Sequence, residues 1–333
     1  MTAGVGNMDL SIIMVNWKSA DFCEQALKSI YATVSAISFE VIVIDNASFD
    51  NCETMLAKKF PAARFIQSAD NLGFAGANNR AVAESSGRIL CFLNPDTIVH
   101  KNALHALYAA LEAIPDAGTV GALLKNSDSS VQTSCVLPFP TILNQAFDFE
   151  WLRRRFPRAK IFGAAAAFSD LQKPQCVDAV SGACIMMSRA LFLEIGMFST
   201  DYFMYAEDID LCHKVKLSDR KVYLVTTAEI THFGGGSSTG SKHSRQSAVL
   251  LRDSNFKLLC KFRGRGYAHL YRASLAAAAV ARLTALLVML IPAAVTGRGA
   301  TVIDALLRWG YLLGWAVGIR SAPHSFGAGT KKP

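Results

Sequence analysis

The sequence predicts an α/β fold, a mostly parallel sheet with helices on its faces, continued by a C-terminal apolar α-helical extension. Two observations carry this reading. Up to about residue 125, compact apolar runs rich in β-branched residues alternate with segments of helical spacing. From about residue 267 the chain turns Ala- and Leu-rich. With 333 residues, 51% hydrophobic and only 18% charged, it fills a large core easily. The mean hydropathy of +0.26 is high for a freely soluble protein and points to membrane contact.

In order, "LSIIMVNW" reads as a buried strand, and "SADFCEQALKSIYATV" as a helix opened by a capping-type Ser19. "FEVIVIDNAS" is a second strand, "FDNCETMLAKKF" a short helix and "ARFIQS" a third strand. "ADNLGFAGANN" reads as a loop entering the helical "RAVAESSG"; "RILCFLNPDT" is a fourth strand and "KNALHALYAALEAI" a further helix. The pattern breaks down over residues 126 to 175. It returns as a strand and helix in "CVDAVSGACIMMSRALFLEIGMF", then an acidic cluster, then the strand "KVYLVTTAEITHFGGGSS".

Net charge is +8, gathered in "WLRRRFPRAK" (151–160) and in Lys242, Arg245, Arg252, Lys257, Lys261, Arg263 and Arg265. Such patches suit an anionic partner: a nucleotide diphosphate, a phospholipid surface or a nucleic acid. The eight cysteines show no C-x-x-C spacing and sit mostly in apolar runs, which reads as reduced core thiols of a cytosolic protein. The N-terminal apolar run has no charged flank and is too short for a signal peptide.

In parallel sheets, ligands bind beyond the carboxyl ends of the strands. The clusters "VNW" with Asn16, "DNAS" and "NPDT" all lie there. Asp45 and Asn46 read either as Asx turn chemistry or, for Asp45, as an acceptor for a base or ribose. "NLGFAGANN", with Asn71, Gly73, Gly76, Asn78 and Asn79, is neither G-x-G-x-x-G nor a P-loop; its glycines permit close backbone approach to a ligand, or simply a helix entry. Asn94 and Asp96 in "LNPDT" form an ordinary turn or a site for Mg²⁺ or Mn²⁺, which take oxygen ligands. His232 reads as structural or as a ligand.

The acidic cluster is "FMYAEDIDLCHKVK", with Glu207, Asp208 and Asp210. Acids at a helix start are stabilised by the macrodipole, which explains one or two of them. Adjacent helical residues point about 100° apart, so Glu207 shares a face with Asp210, and Asp208 with Leu211 or Cys212. The aromatic "FMY" before them supplies walls for a pocket.

These stretches, with "SGACIMMSR" and "THFGGGSS", resemble family 2 glycosyltransferases of the GT-A fold, and within them the bacterial branch that includes rhamnosyltransferases. The likeness spans roughly residues 9 to 257. It implies inverting transfer of a sugar from a nucleotide-diphosphate donor, rhamnose from dTDP-rhamnose, to a glycan or polyprenyl-linked acceptor in cell-surface polysaccharide synthesis. By the same resemblance, Asp45 holds the nucleoside, and Asn16, Asn71, Gly73, Asn78, Asn94 and Asp96 line the donor site. Asp96 and His232 hold the metal; Asn94-Pro95-Asp96 lacks the first acid of the family's D-x-D-like motif. Asp208 is the general base, Glu207 orients the acceptor, and Asp210 caps the helix.

Residues 1–266 are expected to form the catalytic domain, with a nucleotide-binding part at about 9–125 and an acceptor part at about 126–266; 267–333 form an apolar helical tail. "ASLAAAAVARLTALLVMLIPAAV" is long enough to span a bilayer. Its central Arg282 costs about 2.5–3.5 kcal/mol on insertion scales, and Pro292 lies near its end. Interfacial helices, peripheral on the cytoplasmic face of the membrane, are therefore expected, with Lys257 to Arg272 attracting anionic headgroups. A true span, or a soluble helical pair packed on the catalytic domain or in a homo-oligomer, is the alternative. Absence of G-x-G-x-x-G after the first strand argues against a nicotinamide oxidoreductase, and the acidic cluster against a nucleic-acid partner. A non-catalytic membrane- or nucleotide-binding α/β protein is the rival reading.

Overall fold

The apolar runs form strands because, covered on both faces, they leave no side for water. β1 (Leu10–Asn16), α1 (Ala20–Thr33), β2 (Phe39–Asn46), α2 (Cys52–Lys59), β3 (Arg64–Ser68), α3 (Gly73–Ala83) and β4 (Ile89–Leu93) follow one another. The computed structural model describes residues 8–146, 155–156, 173–234, 241–297 and 299–322, without the side chains of 241–244 and 293–294. The first basic stretch, 151–160, lies almost wholly outside the described residues.

β3, β2, β1 and β4 are parallel neighbours in that order. The chain continues with β5 (Thr97–Val99), α4 (Ala103–Ala113), β6 (Ala117–Lys125) and β7 (Val136–Leu137). After the short α5 (Ile142–Ala146) come β8 (Gln175–Val177), β9 (Ala179–Val180), β10 (Cys184–Ser188), α6 (Arg189–Glu194), α7 (Glu207–Leu217) and β11 (Lys221–His232). β10 enters antiparallel between β4 and β6; β6 and β11 are parallel, and β5 and β8 pair antiparallel with β11. Ile12, Ile13, Ile42, Ile44 and Phe92 are fully buried. Under the carboxyl ends, Phe92 and Phe198 pack at 4.8 Å between ring centres, and Phe74 meets Phe198 at 5.7 Å.

Two expectations need correction. "GFAGANN" is not a loop: α3 begins at Gly73, whose φ of 69° only glycine adopts without strain. β6, "AGTVGALLK", has no counterpart in the sequence reading, because two glycines interrupt it. Both are demanded by packing: a Cβ at Gly118 would stand 2.4 Å from Val215 Cγ1, and one at Gly121 2.5 Å from Val180 Cβ.

The strands and α7 belong to one compact unit (Met1–Phe139, Ala164–Thr200, Glu207–Ser237). A second comprises Pro140–Gly163, Asp201–Ala206 and Ser238–Pro333. It holds α5 and three long helices, α8 (Ser241–Arg263), α9 (Arg265–Val295) and α10 (Gly299–Ala316). Gly264, at φ 84°, separates α8 from α9. Arg272 ties α9 to α10: Nε donates to the Ala316 carbonyl at 3.0 Å, and the guanidinium stacks on Trp315 at 5.1 Å. Trp315 Nε1 donates to Asp253 of α8 at 3.0 Å. Arg282 is not left bare: it lies over the Trp309 ring at 4.3 Å and donates to the Ala146 carbonyl at 3.2 Å. Beyond it Val288, Ile291 and Val295 are 72%, 78% and 84% exposed. The stretch Arg265–Pro292 is long and apolar enough to cross a membrane, with 11% of its most apolar window buried.

Candidate active site

The parallel register sets three side chains in one row at the strand ends: Asn16 opposite Asp45, and Asp45 opposite Gln67. Asp45 accepts from Asn16 Nδ2 at 2.7 Å, Gln67 Nε2 at 2.8 Å, the Phe49 amide at 3.0 Å and the Ser48 amide at 3.1 Å, and also from the Ser48 hydroxyl. Burial pushes such a carboxyl up, but the bonds from Ser48, Gln67, Phe49 and Asn16 outweigh it and hold Asp45 below the ordinary carboxylate value. Its oxygens thus organise the β2–α2 turn, in which Ala47 and Phe49 take left-handed backbone (φ 60° and 49°). Asn16 Nδ2 also reaches Asp50 Oδ1 at 3.0 Å. The Ser19 hydroxyl, read as a helix cap, instead donates to Asn16 Oδ1 at 3.0 Å.

Asn46 ties down the neighbouring turn. Its Oδ1 accepts from the Leu72 amide at 2.8 Å, and its Nδ2 donates to Asn71 Oδ1 at 2.9 Å and to the Gly73 carbonyl at 3.2 Å. Asn71 Oδ1 in turn accepts from the Gly73 amide at 3.0 Å. Asn78 is buried inside α3 and donates to the Phe74 carbonyl at 2.9 Å, one helical turn back.

At the end of β4, Asp96 and His232 meet. The β5–β11 register places Thr97 opposite His232, and the Phe233 amide donates to the Asp96 carbonyl at 3.0 Å. His232 Nε2 stands 3.4 Å from Asp96 Oδ1, with side-chain exposures of only 15% and 13%. Asn94 Nδ2 lies 3.5 Å from the same nitrogen. On the other side of the ring, Nδ1 is 3.0 Å from Gln132 Oε1, and Gln132 Nε2 donates to the His232 carbonyl at 2.5 Å. Among the described residues no three His, Cys, Asp or Glu side chains gather as a metal cage. The pair nevertheless fits a divalent ion. If Nδ1 carries the proton toward the Gln132 amide oxygen, Nε2 presents a lone pair toward a carboxylate, and a cation suits two facing acceptors.

Asp208 is connected to this corner through two consecutive residues, Gly182 and Ala183. The Gly182 amide donates to Asp208 Oδ2 at 3.0 Å, while the Ala183 carbonyl accepts from the Asn94 amide at 3.0 Å. Asp208 Oδ1 also accepts from the Ile209 amide at 2.8 Å. Burial pushes its carboxyl up, against the opposing bonds from the Gly182 and Ile209 amides, yet the residue is only half-buried. Glu207 and Asp210 share the buried side of α7, with exposures of 7% and 0%. Asp210 does not cap the helix: it accepts from the Ser199 hydroxyl at 2.5 Å and pairs with Lys214 at 3.3 Å, a full turn in.

The sequence reading assigned no role to Gln132, Gly182 or Asp50. Asn46 it noted only as a turn residue, although it stands in "DNAS"; Gln132 falls in the stretch without pattern and carried no signal.

Residues 11–195 match the Glycosyl transferase family 2 profile. The chain belongs to that family and is a glycosyltransferase. It is similar to N-acetylglucosaminyl-diphospho-decaprenol L-rhamnosyltransferase of Mycobacterium tuberculosis, 27% identical over 239 residues, 67% of this chain and 75% of that one. It is 24% identical to rhamnosyltransferase WbbL of Escherichia coli over 67% of this chain and 82% of that one. In fold it is similar to the mannosyltransferase PcManGT of Pyrobaculum calidifontis, solved with GDP-Man and Mn²⁺: TM-score 0.56, 20% identity, 94% and 87% of the two chains. The architecture is of the GT-A type.

Proposed function

We propose that this glycosyltransferase inverts the anomeric centre of a sugar that it moves from a nucleotide diphosphate, rhamnose from dTDP-rhamnose, to a glycan or polyprenyl-linked acceptor in cell-surface polysaccharide synthesis. The observation that carries the reading is the pairing of Asp96 with His232 beyond the end of β4, with Asp208 bonded to Gly182, whose neighbour Ala183 accepts from the Asn94 amide. Similarity to two rhamnosyltransferases supports the sugar. Asp96 and His232 would hold Mg²⁺ or Mn²⁺, which supplies charge neutralisation for the departing pyrophosphate.

Asp208 takes the proton of the acceptor hydroxyl, and the freed oxygen attacks the anomeric carbon from the face opposite the phosphate. The bond to the phosphate oxygen breaks, and its electron pair leaves with the nucleoside diphosphate. A carboxyl raised by burial is a stronger base once ionised than a solvated one, and its partial exposure leaves it reachable. Glu207 orients the acceptor. Asn16, Asp45, Asn71, Gly73, Asn78 and Asn94 shape the donor side; in this reading Asp45 acts by fixing its turn as well as by facing the nucleoside.

Catalysis belongs to residues 1–266, divided near residue 125, and the tail 267–333 holds the enzyme peripherally on the cytoplasmic membrane face. The break at Gly264 and the exposed apolar side chains of α9 support this division. The test is a screen of nucleotide sugars for thermal stabilisation and hydrolysis with and without Mn²⁺. Stabilisation by a dTDP-sugar only with metal is expected; no response to any nucleotide sugar would overturn the reading.

A further inference from the structure

We infer that Gln132 is a positioning residue that sets the tautomer of His232, so that Nε2, and not Nδ1, is offered to a metal beside Asp96. This rests on the proposed metal role of His232.

The amide of Gln132 is oriented by the protein. Its Nε2 donates to the His232 backbone carbonyl at 2.5 Å, a group that only accepts, so Oε1 must be the atom facing His232 Nδ1 at 3.0 Å. An amide oxygen only accepts, so a neutral His232 carries its proton on Nδ1. Nε2 is then a lone pair, aimed at Asp96 Oδ1 at 3.4 Å and able to accept from Asn94 Nδ2 at 3.5 Å.

The backbone around Gln132 is fixed too. Its amide donates to the Leu124 carbonyl at 2.8 Å, its carbonyl accepts from the Cys135 amide at 3.2 Å, and Lys125 bridges Val131 across the turn. The turn itself closes through the Asn126 amide on the Ser130 carbonyl at 2.8 Å, with Ser129 in left-handed backbone at φ 65°. Because Asn94 stands where an acid is expected, Asp96 and His232 would be the two ligands that the described residues bring together here, and the wrong tautomer would remove one of them. Partners that orient a ligating histidine typically change metal affinity by 10–100-fold when removed.

The rival explanation is that Gln132 merely ties the end of β11 to the β6 turn. Two readouts separate them, both on the full-length chain without donor or acceptor. Long-range ¹H–¹⁵N spectra of histidine-labelled protein at pH 8, with His232→Asn used to assign the signal, report the tautomer directly. Mn²⁺ binding, followed by the EPR signal of the free ion with the metal alone, reports affinity. Wild type should show His232 protonated on Nδ1. Gln132→Met should mix the tautomers and weaken Mn²⁺ binding by about 10–100-fold. Gln132→Glu, which still accepts from Nδ1–H, should keep affinity within a few-fold even if the lost bond to the His232 carbonyl lowers its melting temperature.

An Nε2–H tautomer in wild type, or Gln132→Met binding Mn²⁺ as well as wild type does, overturns the inference and leaves the metal reading standing. Wild type binding no better than His232→Asn overturns both.

Discussion

The two compact units are built on opposite rules. In the first, large apolar side chains go inward and polar ones gather at one rim, where they hold each other: Asp45 accepts from five donors, and His232 sits between Gln132 and Asp96. In the second, Arg272, Trp315 and Asp253 are turned toward one another, while Leu287, Val288, Met289 and Ile291 of α9 stand more than half exposed. A satisfied polar rim is rigid and suited to chemistry; a bare apolar helix is suited to a non-aqueous neighbour. In the proposed reading, chemistry and location belong to different parts of one chain, so that each can be broken without the other.

The largest effect should come from the rim. Removing divalent metal with EDTA, or the Asp96→Asn change, should lower transfer by a thousandfold or more, since metal stabilisation of a leaving group is worth several kcal/mol. Re-added Mn²⁺ should restore wild type and leave Asp96→Asn depressed; full activity in EDTA would count against the metal role. Next comes the helix. Changing Leu287, Val288 and Ile291 together to Glu in the full-length protein should weaken sedimentation with anionic phospholipid vesicles by about a hundredfold or more. Each buried side chain of this size contributes roughly 1.5–3 kcal/mol. Donor hydrolysis should be unchanged. Unaltered vesicle binding would refute the assignment, and a wild type that ignores vesicles but self-associates would make α9 an oligomer contact.

A smaller effect is expected at Asp45. Asp45→Ala strands several buried donors and should cost about 1–3 kcal/mol in denaturant unfolding at neutral pH. Because the folded-state carboxyl is more acidic than the unfolded one, its contribution is present above the unfolded value and is lost as pH falls through the folded one. The gap between variant and wild type should therefore close toward acid. A gap constant with pH would show that the ionised form is not what stabilises the turn.

Much of the first unit was legible because burial on both faces writes itself as continuous apolar runs: β1, β2 and β4 are unmistakable in "LSIIMV", "VIVID" and "ILCFL". What stayed hidden has physical reasons. β6 is interrupted by Gly118 and Gly121, which are there to make room for Val215 and Val180 from distant parts of the chain. The direction of β10 follows from pairing with β4 and β6, not from its own residues. α3 looks like a loop because its first turn is glycine-rich and its entry is held by Asn46, 27 positions before Gly73. Of the candidate site residues, Asp96, His232 and Asp208 stand out in the sequence as polar residues at strand and helix ends. Gln132 did not, since an amide that orients a histidine across 100 positions has no local signature.

The central claim is that Asp208 is the base of a sugar transfer, and it is tested most directly by comparing wild type with Asp208→Asn for both donor binding and turnover across pH. Wild-type kcat/KM should fall toward acid through a group titrating above the ordinary aspartate range, because burial raises the Asp208 carboxyl and only the ionised form accepts the proton. Asp208→Asn should bind the nucleotide sugar within a few-fold of wild type while losing about 10²–10⁴-fold in turnover and with it that acid limb. Turnover within a few-fold of wild type, with the acid limb intact, would contradict the assignment and move the base to Glu207.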